Sequence, residues 1–226
     1  MPTSGAERMK RQRTAEQRVT RELIPPKDRP TAPPDTHKGT INKKLLERMV
    51  GLKNRLLEYP ASDSEKTVRY DCEGEIRLSP LNAEGRDKNT ADGIILSLVE
   101  LVRAKLRLGR NKLGKRKQVY IADTGEWQDG PWIRVYDDGA KCEQHADGLE
   151  VRLPKASTYS LVVCMEASGE NFNLGTIVTK KPLTENNSSG YSLATRDYIL
   201  FQSRFQHEPA PARGRRVVWA MQMTVE

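Results

Sequence analysis

The second half of the chain is a series of short apolar segments, separated from one another by Gly, Pro, Asn and Asp. In the last segment, RRVVWAMQMTV, the residues Val217, Trp219, Met221 and Met223 occupy every second position. An apolar period of two predicts a β-strand, so we expect Trp219 to be buried in a central sheet. Other segments that we interpret as strands are KQVYIAD, PWIRVYD, LEVRL, TYSLVVCMEA, GTIVTK and DYILFQSRF.

The region before these strands contains two segments with the apolar period of a helix. Residues 41–59, INKKLLERMVGLKNRLLEY, carry Leu and Met at spacings of three and four, which is typical of an amphipathic helix. Residues 90–109, TADGIILSLVELVRAKLRLG, predict a core helix with Thr90 as N-cap and Gly109 as its end. Between the two helices, TVRYDCEGEIRLS predicts one strand with Gly74 as a candidate bulge. The pattern predicts an α+β fold, with a mainly antiparallel β-sheet and a few helices packed on one face.

The first forty residues differ in composition from the rest of the chain. Hydrophobic residues make up 36% of the chain and aromatic residues 6%, which is low for a globular domain, and the deficit lies mainly in residues 1–40. We therefore expect residues 1–40 to form a disordered basic arm and residues 41–226 to form one globular domain.

Positive charge is concentrated in this arm and in residues 103–117, RAKLRLGRNKLGKRK, which carry eight positive residues and no acidic one. Basic residues favour a helix C-terminus, and a solvated face is the simplest interpretation, but eight exceed what capping requires. With the formal net charge of +8, they indicate an acidic partner, either nucleic acid or an anionic membrane surface. The residues predicted to bind membrane or ribonucleoprotein are Lys10, Arg11, Arg13, Arg103, Lys105, Arg107, Arg110, Lys112, Lys115, Arg116 and Lys117.

Catalytic and metal-binding motifs are weak in this sequence. It has no G-x-S-x-G, no phosphate-binding Gly-rich loop and no H-E-x-x-H motif. Cys142 and His145 form a C-x-x-H pair, but one pair of the four ligands that a structural zinc site requires is a weak signal. The sequence therefore predicts no catalytic residue, no metal site and no cofactor, and a protein that is not an enzyme. Without an apolar run of about 18 residues, any membrane association is expected to be peripheral.

The stretch RPTAPPDT contains the tetrapeptide Pro30, Thr31, Ala32 and Pro33. Proline favours the extended conformation in which grooves bind short motifs, and P-T-A-P is the late-domain motif by which enveloped viruses recruit the host ESCRT machinery. In its order of basic arm, late-domain motif and α+β domain, the chain resembles the matrix proteins of rhabdoviruses, in particular lyssaviruses and vesiculoviruses. The segments CEGEIRLSP, ADGIILSLVELVRAKL, KQVYIADTG, YILFQSRF and GRRVVWAMQM extend the resemblance, whereas the absence of P-P-x-Y and the helix over residues 41–59 depart from it.

This resemblance implies a viral matrix protein that self-associates, bridges the ribonucleoprotein and the inner face of the membrane, and drives assembly and budding. The implied partners are anionic membrane lipids, the viral nucleoprotein–RNA complex, a host ESCRT component bound through P-T-A-P, further copies of the chain and a viral glycoprotein tail. The implied locations are the virion, the host cytoplasm, the inner face of the host plasma membrane and the host nucleus. The main alternative is the RNA-binding coat protein of a small RNA virus with a basic N-terminal arm. A cellular nucleic-acid-binding module is a second alternative, but it would need an aromatic or Gly-x-x-Gly reader that the sequence lacks.

Overall fold

The architecture is given by a computed structural model, which describes residues 35–58, 67–69, 75–109, 118–121, 131–140, 142–147, 157–176 and 182–225. Within these ranges, two α-helices precede most of the strands. Helix α1 is Lys43–Glu58 and helix α2 is Gly85–Lys105. The strands are β1 (His37–Thr40), β2 (Thr67–Arg69), β3 (Glu75–Leu78), β4 (Val119–Ile121), β5 (Trp132–Tyr136), β6 (Ser157–Glu166), β7 (Ser168–Gly175), β8 (Ser188–Ala194), β9 (Asp197–Gln202), β10 (His207–Pro209) and β11 (Arg216–Val225).

The strands form two antiparallel sheets. The larger sheet has the order β1-β9-β6-β11-β5-β3-β2, with β4 also paired to β11, and the smaller sheet has the order β10-β7-β8. Strand β11 is central, because it pairs with β6 along its whole length and with β5 and β4 along parts of its other edge. The predicted α+β class with a mainly antiparallel sheet is confirmed.

One face of the larger sheet packs against both helices. Val217, Trp219, Met221 and Met223 of β11 point to this face, and the Trp219 side chain is fully buried. The helices supply the apolar stripe that covers it, with residues such as Leu52 of α1 in the same core. The predicted burial of Trp219 in a central strand is confirmed.

The opposite face of the larger sheet packs against the smaller sheet. Val218 of β11 and Phe201 of β9 contribute to a second core together with Phe172 and Leu193 of the smaller sheet. The ring centroids of Phe172 and Phe201 lie 5.6 Å apart. Because both faces of the larger sheet are covered, β11 carries apolar residues on both sides, and the two sheets enclose a space in which a site can form.

Two predicted elements differ from the structure. The segment interpreted as one strand contains two, since β2 and β3 pair antiparallel with each other, Arg69 opposite Ile76. Helix α2 begins at Gly85 rather than near Thr90 and ends at Lys105 rather than near Gly109. The Thr90 hydroxyl donates a hydrogen bond to the Arg86 carbonyl at 3.0 Å, so it lies within the helix and does not cap it.

The polar strands were not predicted. Strands β7, β8 and β10 have the sequences SGENFNLG, SSGYSLA and HEP, which lack the apolar alternation of β11. Strand β1 lies within residues 1–40, the range predicted to be an arm, and pairs with β9. Residues 1–34, and the segment LEVRL that was predicted as a strand, lie outside the described residues. Neither of the two described helices is long and apolar enough to cross a membrane.

Candidate metal centre

Three side chains from two distant parts of the sequence meet between the sheets. One ligand atom from each of His145, Asp147 and His207 lies within 4.8 Å of the others. The segments are joined by two main-chain hydrogen bonds, from the His145 amide to the His207 carbonyl at 3.1 Å and from the His207 amide to the His145 carbonyl at 2.7 Å. The Asp147 amide donates to the Ser203 carbonyl at 3.1 Å. The backbone therefore fixes the relative positions of all three side chains.

Both imidazole rings turn the same nitrogen towards Asp147. Nδ1 of His145 lies 2.7 Å from the Glu143 carbonyl oxygen, and Nδ1 of His207 lies 3.3 Å from the Phe205 carbonyl oxygen. Nε2 of His145 is 3.4 Å from Oδ1 of Asp147, and Nε2 of His207 is 3.7 Å from Oδ2. A carbonyl acceptor for Nδ1–H leaves the Nε2 lone pair available, which is the usual arrangement of metal-binding histidines.

Neighbouring side chains hold the carboxylate and one ring in place. The Ser160 hydroxyl on β6 donates a hydrogen bond to Oδ2 of Asp147 at 2.5 Å and lies 2.8 Å from the Ser203 hydroxyl. The His207 ring packs against both Phe172 and Phe201, with centroid distances of 5.5 Å and 5.0 Å. These contacts restrict the rotamers of the cluster before any ligand binds.

The protonation states of the cluster are strongly perturbed. Burial alone would raise the pKa of Asp147, but the two neighbouring histidines and the Ser160 hydrogen bond hold it well below its usual range. Burial would lower the pKa of His145, but its hydrogen bonds with Asp147 and Cys142 raise that pKa to about 10. Burial lowers the pKa of His207 to about 4. Without a metal ion, the cluster thus holds an anionic carboxylate, one protonated ring and one neutral ring, and a cation can take the place of the proton.

The donor set fits a divalent transition metal. Two imidazole nitrogens and one carboxylate form a three-ligand set that leaves coordination positions open, which is typical of non-haem iron(II) oxygenases. A closed structural zinc site would require four protein ligands. The His145 side chain is 34% exposed whereas that of His207 is 5% exposed, so solvent reaches the cluster from the His145 side.

A cavity of about 60 Å³ adjoins the cluster. Its walls include the apolar side chains of Phe172, Leu193 and Val218, and Arg216 lies in the same lining as the three cluster residues. The cavity therefore combines a candidate metal centre, an apolar wall and two guanidinium groups, from Arg134 on β5 and Arg216 on β11.

Arg216 is buried and incompletely hydrogen-bonded. It is 4% exposed, its Nη1 donates to the Ala210 carbonyl at 2.5 Å, and its Cζ lies 4.4 Å from the centroid of the Tyr136 ring. Its Nη2 is buried and has no hydrogen-bond partner among the described residues. An unsatisfied buried donor is costly, and a guanidinium is well suited to a carboxylate. The cavity thus fits a small carboxylic acid that reaches from the cluster to Arg216.

The described residues that the sequence analysis selected do not belong to the cluster. Pro30, Thr31, Ala32 and Pro33, together with Lys10, Arg11, Arg13, Arg110, Lys112, Lys115, Arg116 and Lys117, are outside the described residues. Arg103 lies near the end of α2 and pairs with Glu100 at 3.5 Å. Lys105 and Arg107 are exposed at and just after the helix end. None of these three lines the cavity, and their predicted binding role stays a prediction.

The sequence analysis did not predict the cluster. The sequence offered Cys142 and His145 only as a weak half of a zinc site, and it did not single out His207. A usable signal was present in His145-x-Asp147, because residues two apart in an extended segment point to the same side. His207 on a short strand, followed by Arg216 at the start of the next strand, would have completed this signal.

Comparisons with solved structures show which proteins share this fold. HygX from Streptomyces hygroscopicus, solved with nickel, 2-oxoglutarate and hygromycin B bound, has a TM-score of 0.54 and 12% identity over 83% of this chain and 81% of that chain. A 2OG-Fe(II) oxygenase family oxidoreductase from Burkholderia pseudomallei has a TM-score of 0.53 and 13% identity over 84% and 83%. AviO1 from Streptomyces viridochromogenes Tue57 has a TM-score of 0.53 and 12% identity over 84% and 89%. No family model and no curated protein matches the sequence.

These findings correct the functional prediction. The interpretation as a rhabdovirus matrix protein is wrong, and so are its alternative as a coat protein, the conclusion that the chain is not an enzyme, and the partners inferred from the resemblance. The order of elements and the P-T-A-P tetrapeptide do not determine the fold, and the fold found here is shared with the solved structures named above. The locations implied by the resemblance stay predictions. The chain has the fold of these three structures, one of which is described as a 2OG-Fe(II) oxygenase.

Proposed function

We propose that this chain is an iron(II)- and 2-oxoglutarate-dependent oxygenase. Such an enzyme transfers one oxygen atom of O₂ to a C–H bond of its substrate, while 2-oxoglutarate takes the other and is converted to succinate and CO₂. The observation that carries the proposal is the cluster of His145, Asp147 and His207 beside a cavity that also contains Arg216. The fold shared with HygX, whose structure contains nickel and 2-oxoglutarate, supports it.

The residues present fit both bound groups. Nε2 of His145, Nε2 of His207 and the Asp147 carboxylate would hold the iron, since backbone carbonyls occupy both Nδ1 atoms. Arg216 would bind a carboxylate of 2-oxoglutarate through Nη2, which has no hydrogen-bond partner among the described residues. When bound, iron(II) and 2-oxoglutarate together supply the activation of dioxygen and two of the electrons that reduce it.

The chain's own contribution is positioning and electrostatics. The buried guanidinium of Arg216 would compensate the charge of the carboxylate, an interaction that strengthens where water is excluded. The apolar walls around Val218 and Leu193 match the methylene groups between the two ends of 2-oxoglutarate. Ser160 keeps Asp147 in one orientation through its 2.5 Å hydrogen bond.

The proposal is tested by measuring the release of the C-1 carboxyl group of 2-oxoglutarate as CO₂. Purified full-length protein with iron(II), ascorbate, O₂ and 2-[1-¹⁴C]oxoglutarate is expected to release labelled CO₂. Release should fall to background in Asp147→Ala, because a metal ligand is lost. Asp92→Ala, which changes an exposed carboxylate on α2, should match the parent. Equal release from Asp147→Ala and the parent protein would contradict the proposal.

A further inference from the structure

A second cavity also has Asp147 in its lining. It has a volume of about 20 Å³, which is enough for a water molecule. It shares Arg134, Asp147, Val162 and Ala220 with the first cavity. A group bound there would therefore lie next to the candidate metal centre.

Strand register places three polar side chains on the same face of the larger sheet. Trp132 of β5 lies opposite Ala220 of β11, and Gln222 of β11 lies opposite Ser160 of β6. Ala220 and Gln222 are two residues apart on one strand, so their side chains share a face. Trp132, Gln222 and Ser160 all contribute to the lining of the second cavity.

Two of these side chains present hydrogen-bonding atoms that no described residue satisfies. Trp132 is 8% exposed, and its Nε1 is buried without a hydrogen-bond partner among the described residues. The same holds for Oε1 of Gln222. Ser160 differs, because its hydroxyl is engaged by Asp147 and Ser203. A buried unsatisfied polar atom requires an explanation, and here a donor and an acceptor line one cavity.

The chemistry of these atoms defines the group that fits. The indole N–H only donates, whereas the amide oxygen only accepts, so the complementary group must accept one hydrogen bond and donate another. Arg134 and Asp147 line the cavity with opposite charges, which gives it no net charge with which to select an ion. Water, an amide or a hydroxyl meets both conditions, but a carboxylate or an ammonium meets only one.

We propose that Trp132 and Gln222 bind a neutral amide or hydroxyl group of the substrate and hold the substrate beside Asp147. This inference rests on the proposed function, since the substrate is defined by the oxygenase reaction. The two residues are positioning and specificity-determining residues, and the donor and acceptor that they offer favour neutral polar substrates over charged ones.

The test uses the ¹H–¹⁵N signal of the Trp132 indole in the full-length protein loaded with Zn(II) and 2-oxoglutarate. The chain has three Trp residues, so the signal is assigned by its loss in Trp132→Phe, or by elimination with Trp127→Phe and Trp219→Phe. Acetamide, ethanol, acetate and methylammonium are the probes. We expect a saturable shift with acetamide or ethanol, and the stronger of the two distinguishes an amide from a hydroxyl. The indole of Trp219 is the internal control, since its Nε1 is also buried without a partner in the described part of the chain but lies in the helix-facing core.

A substitution of the acceptor provides a second measurement. Gln222→Leu should weaken binding of the neutral probe at least fivefold, whereas Gln202→Leu on β9 should leave it unchanged. A larger shift with acetate or methylammonium, a shift that Gln222→Leu does not reduce, or no shift with any probe would overturn the inference. Zn(II) and 2-oxoglutarate binding are followed separately by titration calorimetry. If Zn(II) and 2-oxoglutarate bind but no probe shifts the Trp132 signal, only the substrate site is refuted. If a neutral probe shifts the Trp132 signal but Zn(II) and 2-oxoglutarate do not bind, only the oxygenase proposal is refuted.

Discussion

Replacing Arg216 with Met should remove the stabilisation that 2-oxoglutarate gives to the folded protein. A ligand at about 100 times its Kd stabilises the native state by about 2.7 kcal/mol. For a chain of this size, 1 kcal/mol corresponds to a Tm change of about 2–4 °C, so the parent protein with Mn(II) should gain about 5–11 °C. Arg216 is 4% exposed, and loss of one partner of a buried charged hydrogen bond typically costs about 3 kcal/mol. That cost raises the Kd about 150-fold.

At the same 2-oxoglutarate concentration, the variant should retain about 0.3 kcal/mol of stabilisation, or about 1 °C. The substitution also removes the hydrogen bond to Ala210 and the contact with Tyr136, so each protein is compared with its own ligand-free melting curve. The control is Arg215→Met, which changes an exposed neighbour and should keep the full shift. A full shift in Arg216→Met would show that the guanidinium does not bind the co-substrate.

Four further predictions concern the metal centre and the core. Although burial opposes it, the hydrogen bond with Asp147 raises the pKa of His145 to about 10, so Zn(II) must displace a proton from His145. Calorimetric titrations should therefore show Zn(II) affinity rising about tenfold per pH unit between about pH 6 and 8. A pH-independent Kd for Zn(II) would contradict this. In the metal-free protein, the raised pKa of His145 contributes fully to the free energy of unfolding below about pH 6.5. This contribution should be lost as the pH rises through about 10, as measured by unfolding at a series of pH values. Ser160→Ala should weaken Zn(II) binding about 10- to 100-fold because Asp147 loses its supporting hydrogen bond, while Ser97→Ala, whose hydroxyl bonds within α2, should bind as the parent does. Trp219→Ala should lower the free energy of unfolding by about 3–5 kcal/mol in urea titrations, and an unchanged midpoint would be inconsistent with its complete burial.

The strands that could be predicted from sequence are those whose burial is visible as apolar alternation. Trp219 and Met221 of β11 face the helices, and the large apolar residues on this face recur at every second position of the sequence. Strands β7 and β8 carry Asn, Ser and Gly. They owe their structure to pairing with each other and, for β7, also with β10. That pairing is a long-range effect that local composition does not contain.

The candidate site was not predicted because its parts are distant in sequence. His145 and His207 become neighbours only through an isolated antiparallel bridge between two segments. Each histidine alone is unremarkable in a polar segment, and Arg216 is indistinguishable by composition from the other basic residues. The matrix interpretation relied on a four-residue motif and on the order of helices and strands, and neither depends on which side chains meet between the sheets.

Iron binding is the most direct test of the central claim. Anaerobic equilibrium dialysis against iron(II) should give one bound ion per chain in the parent protein, and 2-oxoglutarate should be retained only when the metal is present. Asp147→Ala should lose both, because the cluster is left with two imidazoles and no carboxylate. A parent protein that retains no iron, or an Asp147→Ala variant that retains iron and 2-oxoglutarate as the parent does, would contradict the account.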